Sequence, residues 1–164
     1  MILNDIILYD EKQGDFTWKL NRGPIKAGSK AGHIRGDGYV IVCINKKGYY
    51  GHILAWFLTY GYWPDFEIDH VDNNRSNNRL SNLREATVTQ NKGNVGILPS
   101  NTSGFKGVSF DASRSRYRAQ IYINGTRKRL GDFKDPIQAA MSYDEYAIRH
   151  WGQFAKTNKS MGLY

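Results

Sequence analysis

The chain has 164 residues, 40% of them hydrophobic, with a formal charge of +8 at pH 7 and a pI near 9.6. That length allows one domain or two small ones with a modest core, and the positive balance points to a polyanionic partner. No run of eighteen apolar residues marks a membrane helix, and Met1-Ile2-Leu3-Asn4-Asp5 lacks the basic and long apolar regions of a signal peptide, so a cytosolic protein is expected.

Residues 1 to 50 read as strands and turns. Leu8-Tyr9-Asp10 and Asp15 to Leu20 flank Glu11-Lys12-Gln13-Gly14 as in a hairpin. Gly38 to Ile44, the turn Asn45-Lys46-Lys47-Gly48, and Tyr49-Tyr50 make a second hairpin, expected either to lie against the polyanionic partner or, the favoured role, to support the segments C-terminal to it. Cys43, the single cysteine, excludes an intrachain disulfide and a cysteine-rich zinc ribbon, and its neighbours Val40-Ile41-Val42 and Ile44 suggest a buried strand thiol. His52 to Tyr60 has apolar residues at helical spacing, which predicts a buried helix with His52 in a structural role.

The densest chemistry lies between Glu67 and Asn91. Glu67-Ile68-Asp69-His70-Val71 alternates like a short half-buried strand, which puts Asp69 and His70 on opposite faces at its end. Asp72, Asn73, Asn74, Ser76, Asn77, Asn78 and Asn82 are residues that hold irregular turns through side-chain bonds to backbone. Thr87-Val88-Thr89-Gln90 fits a capping box, with Thr87 as N-cap and Asn91 one turn into a helix. Asp69-His70, Asn82 and Asn91, with His52 to Phe57 and Asn82 to Thr87 flanking them, resemble the HNH homing endonucleases of phages and introns, with asparagine at the last position instead of histidine. The resemblance implies a strand, loop and helix of the ββα-metal type that hydrolyses phosphodiester bonds in double-stranded DNA. In those roles His70 suits the general base, since an ordinary imidazole titrates near pH 6.5. Asp69 and Asn91 offer oxygen ligands, which suits one Mg²⁺ per site, with Mn²⁺ able to stand in. Asn82 is expected to tether the loop and orient the imidazole. Arg75 and Arg84 are candidates for phosphate contact.

Lys92 to Gly104 has the Gly, Ser, Asn and Pro content of a linker, which divides the chain into residues 1–91, a linker 92–104 and residues 105–164. The last segment holds 11 Lys/Arg against 5 Asp/Glu, whereas the first 104 residues hold 12 against 10. Phe105 to Phe110, Tyr117 to Ile123 and Arg127 to Phe133 read as a three-stranded meander, the last two joined at Asn124-Gly125. Asp135 as N-cap and Pro136 at N1 open a helix with Ile137, Ala140, Met141, Ala147, Ile148 and Trp151 as its apolar stripe. Gly107-Val108, Arg118 to Ile121, Leu130 to Phe133, Ala139-Ala140, Tyr143-Asp144 and Asn158 resemble the AP2/ERF DNA-binding domain, which implies a sheet face in the major groove. Arg116, Arg118, Gln120 and Tyr122 share one face of the middle strand. With Lys106, Ser109, Arg127 and Arg129 they form the candidate DNA-binding set.

The fold class expected is α+β: an N-terminal ββα-metal nuclease domain, then a three-stranded antiparallel sheet on one helix. The function expected is a metal-dependent DNA endonuclease acting as a monomer, with a DNA-binding regulator built on a degenerate nuclease core as the alternative.

Overall fold

Short strands joined by turns of suitable chemistry build the first half of the molecule. The computed structural model describes residues 3–164 and divides the chain into two units, Met1–Ala86 and Thr87–Tyr164. In the first unit a short helix α1 (Leu3–Ile6) leads into β1 (Ile7–Asp10) and β2 (Asp15–Trp18), joined through Gly14 at φ +75°, and β3 (Lys30–Ala31) extends that sheet in the order β1-β2-β3. A second sheet has β4 (His33–Ile34), β5 (Val40–Ile44) and β6 (Lys47–Tyr50). Asn45 and Lys46 make its tight turn with φ of 50° and 65°, the left-handed pair that a two-residue hairpin needs. Helix α2 (Gly51–Tyr60) comes directly after β6, and β7 (Glu67–His70) pairs antiparallel with β8 (Leu83–Ala86). One core joins these pieces: Ile7, Phe16 and Trp18 from the first sheet, Val42 and Ile44 from the second, Leu54 to Trp56 from α2, and Ile68 and Leu83 from the β7–β8 pair.

The alternation along β5 decides the fate of Cys43. Val42 and Ile44 point into the core, so the residue between them points out, and Cys43 is exposed rather than buried.

The second unit opens with α3 (Val88–Gly93), started by the expected capping box: Thr87 Oγ1 accepts from Gln90 N, and Gln90 Oε1 accepts from Thr87 N. Strands β9 (Val108–Asp111), β10 (Arg116–Ile123) and β11 (Thr126–Phe133) form a meander in the order β11-β10-β9, and α4 (Pro136–Trp151) packs on it. Asp135 accepts from Ile137 N and Pro136 stands at N1, in agreement with the sequence pattern. Small residues set the helix close to the sheet: Ala119, Ala139 and Ala140 are fully buried with Val108. Asn158, also fully buried, ties sheet to helix by bonding both backbone groups of Lys106 and the Asp144 carboxylate.

Two expectations shift here. The unit division falls between Ala86 and Thr87, and residues 92–104, expected as a linker, are folded into the second unit. The ring of Trp151 lies so near Gly93 that a Cβ there would be 2.7 Å from it; Asn94 is buried, and Asn101 donates to Phe105 O. The stripe on α4 is also rotated. Ala139, Ala140, Tyr143, Asp144, Ala147 and Trp151 are buried, while Ile137, Met141 and Ile148 are exposed, because Asp144 is drawn inside by bonds from Asn158, Lys159 and Tyr164.

Candidate active site

The β7–β8 ladder fixes the two residues, Asp69 and His70, that the sequence offers for the chemistry. Its register places Asp69 opposite Arg84 and His70 opposite Leu83, and Val71 N adds a further bond to Asn82 O at 2.9 Å. The strand is more enclosed than its alternation predicts, since Ile68, Asp69 and His70 are all buried. Asp69, 4% exposed, accepts from Arg84 Nε at 2.9 Å and Nη2 at 2.8 Å, a two-pronged pair that orients the carboxylate. Arg84, expected as a possible phosphate contact, is thus engaged with the acid.

Loop 71–82 is held by its own side chains. Asp72 Oδ1 accepts from Asn74 N and Asn82 Nδ2, and Asp72 Oδ2 from Asn77 Nδ2 at 2.7 Å. Asn82 closes the ring of contacts by accepting from Asp72 N and donating to Asn77 O. Burial works against ionisation of Asp72, but these donors from Asn77, Asn74 and Asn82 prevail and hold its carboxyl below the usual range. The loop-tethering role expected of Asn82 is therefore visible. The imidazole has a different partner: Asn78, 1% exposed, places Oδ1 3.2 Å from His70 Nε2.

Rings crowd the same imidazole. His52, at the start of α2, meets His70 edge-on with centroids 5.0 Å apart, and Tyr39 lies 5.1 Å from His52 and 6.0 Å from His70. Burial, and secondarily His70, push the His52 pKa down to about 3, while burial is the main cause lowering His70. Both rings are therefore held neutral near pH 7. Arg75 lies over Tyr39 at 4.9 Å. Sequence alone does not mark Asn78, His52 and Tyr39 as neighbours of His70: an asparagine in an asparagine-rich loop and a histidine heading an apolar helix carry no sign of their burial against it.

Asn91 lies on α3, in the second unit. Among the described residues no cluster of three or more His, Cys, Asp or Glu is placed to hold a metal. The buried carboxylate at the strand end is a hard oxygen donor, which fits a divalent ion that keeps most of its waters.

The candidate DNA-binding residues sort by the register of the second sheet. Ser109 faces Arg118, Gln120 faces Arg129 and Tyr122 faces Arg127, so these residues share one side with Arg116. A bulge opposite Ala119/Gln120 inserts Leu130 and brings Asp132 onto that side as well. Arg118 bridges Asp111 and Asp132, with Nη2 2.8 Å and Nε 3.3 Å from their carboxylates, and Arg129 also pairs with Asp132. Arg127 donates to Tyr122 Oη. Lys106 departs from the set. Its ammonium turns inward to Gly93 O at 3.0 Å and Lys156 O at 2.9 Å, and burial pulls its pKa down to about 8, so it fastens backbone inside the second unit instead of facing DNA.

Comparison with known proteins adds to this geometry. Residues 49–92 match the HNH endonuclease family, a span that runs from β6 through α3. The chain is 38% identical over 95 residues to an uncharacterized HNH endonuclease of Acanthamoeba polyphaga mimivirus, covering 58% of this chain and 48% of that protein. It is 39% identical over 75 residues to Protein 3.8 of Escherichia phage T7, covering 45% of this chain and 62% of that one. The chain thus spans less than two thirds of either relative. No solved structure matches it. Asp69, His70, Asn82 and Asn91 all fall inside the span that matches the HNH endonuclease family.

Proposed function

We propose that the protein is a divalent-metal-dependent DNA endonuclease whose site is centred on Asp69 and His70. The observation that carries this reading is the buried Asp69–His70 pair at the end of β7, each side chain held by a named neighbour inside the matched HNH span. His70 acts as general base: its ring is neutral near pH 7 and so has a lone pair to take a proton from the attacking water. Asp69 and Asn91 are the oxygen ligands that the HNH resemblance assigns, and Mg²⁺ is the ion their chemistry suits. When bound, such an ion neutralises charge at the phosphate and the departing oxygen. Arg84 holds the Asp69 carboxylate in place, and Asn82 keeps the loop from opening through Asp72 and Asn77.

Target choice belongs to the second unit in this reading. The sheet face of Ser109, Arg116, Arg118, Gln120, Tyr122, Arg127 and Arg129 lies along double-stranded DNA in the manner of an AP2/ERF domain, and the enzyme works as a monomeric homing endonuclease in the cytosol of a phage-infected host. The alternating strand pattern and the cross-strand pairing of these residues support the face as a reader. The Asp111 and Asp132 carboxylates fix the Arg118 guanidinium in advance, so a base contact there exchanges one acceptor for another.

A supercoiled-plasmid nicking assay with Mg²⁺ tests the proposal. Wild-type protein cuts, a chelator stops it, and His70→Ala loses about 10²-fold or more of the rate while DNA affinity stays near wild type. A His70→Ala protein cutting within about tenfold of wild type removes the residue from this role.

A further inference from the structure

The N-terminal hairpin lies outside the matched span, yet it meets the loop beside His70 at several points. Tyr9 Oη donates to Asn78 O at 2.6 Å, and its ring stacks on Phe16 across the hairpin at 5.1 Å. Arg79 Nε donates to Lys12 O at 3.1 Å, and Leu80 N donates to Glu11 O at 3.0 Å. The turn comes so close that a Cβ on Gly14 would stand 2.5 Å from Arg79 N and 2.6 Å from Asn78 C, and Gly14 also has φ +75°, so glycine is required there twice over. On the other side, a Cβ on Gly51 would lie 2.6 Å from Asn78 Nδ2. Asn78 is thus gripped by the hairpin turn and by the first residue of α2.

That grip is tight enough to leave a polar atom unsatisfied. Asn78 Nδ2 is buried with no hydrogen-bond partner, a cost a well-packed loop would ordinarily avoid. The orientation that incurs it is the one that presents Oδ1 to His70 Nε2. An oxygen acceptor at Nε2 selects the tautomer with its proton on Nε2, which leaves the lone pair on Nδ1.

We infer that Asn78 is a positioning residue for His70, and that the Asp10–Gly14 turn, by holding Asn78, is a working part of the cleavage site. This rests on the reading of His70 as the general base. The hairpin fixes the Asn78 backbone, and the Asn78 amide oxygen fixes the ring and its proton.

The test uses the full chain, plasmid DNA and Mg²⁺, with ¹⁵N-histidine NMR to read the ring tautomer. Asn78→Ala is expected to lower kcat about tenfold or more with KM and DNA affinity unchanged, and to mix the His70 tautomers that wild type keeps as the Nε2–H form. Asn78→Asp keeps an oxygen in the same place and is expected to retain the wild-type tautomer and more of the rate than Asn78→Ala. Tyr9→Phe removes one hydroxyl from the brace and is expected to lower kcat in the same sense by less, and adding it to Asn78→Ala should cost nothing further, since both act through one contact. Should Asn78→Ala fail to fold, Tyr9→Phe decides. The inference is overturned by Asn78→Ala with kcat within about twofold of wild type or an unchanged tautomer, by Asn78→Asp no better than alanine, or by Tyr9→Phe with kcat and His70 ring signals both as in wild type. Its failure is separable from that of the proposed function: an active His70→Ala defeats the general base itself, whereas an inactive His70→Ala beside a fully active Asn78→Ala defeats only the brace.

Discussion

His52 makes the fold sensitive to acid. Its ordinary pKa of 6.5 drops to about 3 in the folded protein, chiefly through burial, so the folded state holds the neutral ring and the unfolded state takes up the proton first. The stability this ring contributes is complete above about pH 6.5 and is lost as the pH falls toward 3, with a total on the order of a few kcal/mol, since each tenfold change in proton affinity is worth about 1.4 kcal/mol. We expect Tm to fall between pH 6.5 and 4 in the wild-type protein and to fall less in His52→Gln, which cannot titrate; identical pH profiles would exclude His52 as the cause. The Asp69–Arg84 pair makes a second residue-scale prediction. Arg84→Ala takes the guanidinium from a carboxylate that is 4% exposed, and should cost on the order of 3 kcal/mol of unfolding free energy in a urea titration. If Asp69 also holds the metal, Mg²⁺ should restore part of that loss. That Asp69 and His70 end a strand and that Asn82 lies in the loop after them was legible from residue type and spacing. Asn78 was not, because its role depends on a hairpin 64 or more residues earlier in the chain (78 − 14).

At the scale of elements, local signals read well where one turn or cap fixes the outcome. The capping box at Thr87, the Asp135–Pro136 helix start and the Asn124–Gly125 turn all stand where the residues ask for them, the last with φ of 50° and 78°. Readings that depended on tertiary partners shifted. Residues 92–104 have linker composition, yet Gly93 and Asn94 are drawn in against Trp151 and its surroundings. The apolar side chains of Ile137, Met141 and Ile148 suggested the inner face of α4, but close approach to the sheet favours Ala139 and Ala140 there. Gly107 shows how little room that approach leaves: at φ +75° it would place a Cβ 2.0 Å from the Tyr143 ring. Gly107→Ala is therefore expected to destabilise the protein by more than about 1 kcal/mol, the usual cost of an incompatible backbone site, with β9 and α4 losing amide-exchange protection together. A neutral result in thermal melting would mean that Tyr143 swings aside freely.

Across the whole molecule, charge divides more sharply along the observed units than along the expected domains. Residues 87–164 hold 12 Lys/Arg against 5 Asp/Glu, and residues 1–86 hold 11 against 10. Salt-dependent DNA binding should accordingly come mostly from the second unit. Arg127→Ala is expected to weaken binding to all sequences and to reduce the slope of log K against log salt by about one, whereas Lys106→Met should leave the slope unchanged because its ammonium is committed to two carbonyls. Equal slopes for the two variants would show that Arg127 does not meet phosphate. The outward turn of Cys43 on β5 has a practical side. It is the only thiol in the chain and it is exposed, so a maleimide dye added to the unaltered protein attaches at one known position. The same thiol will couple two molecules in air-oxidised buffer. A dimer band that disappears on adding reductant is then Cys43 chemistry, and sizing columns run without reductant would mistake it for assembly.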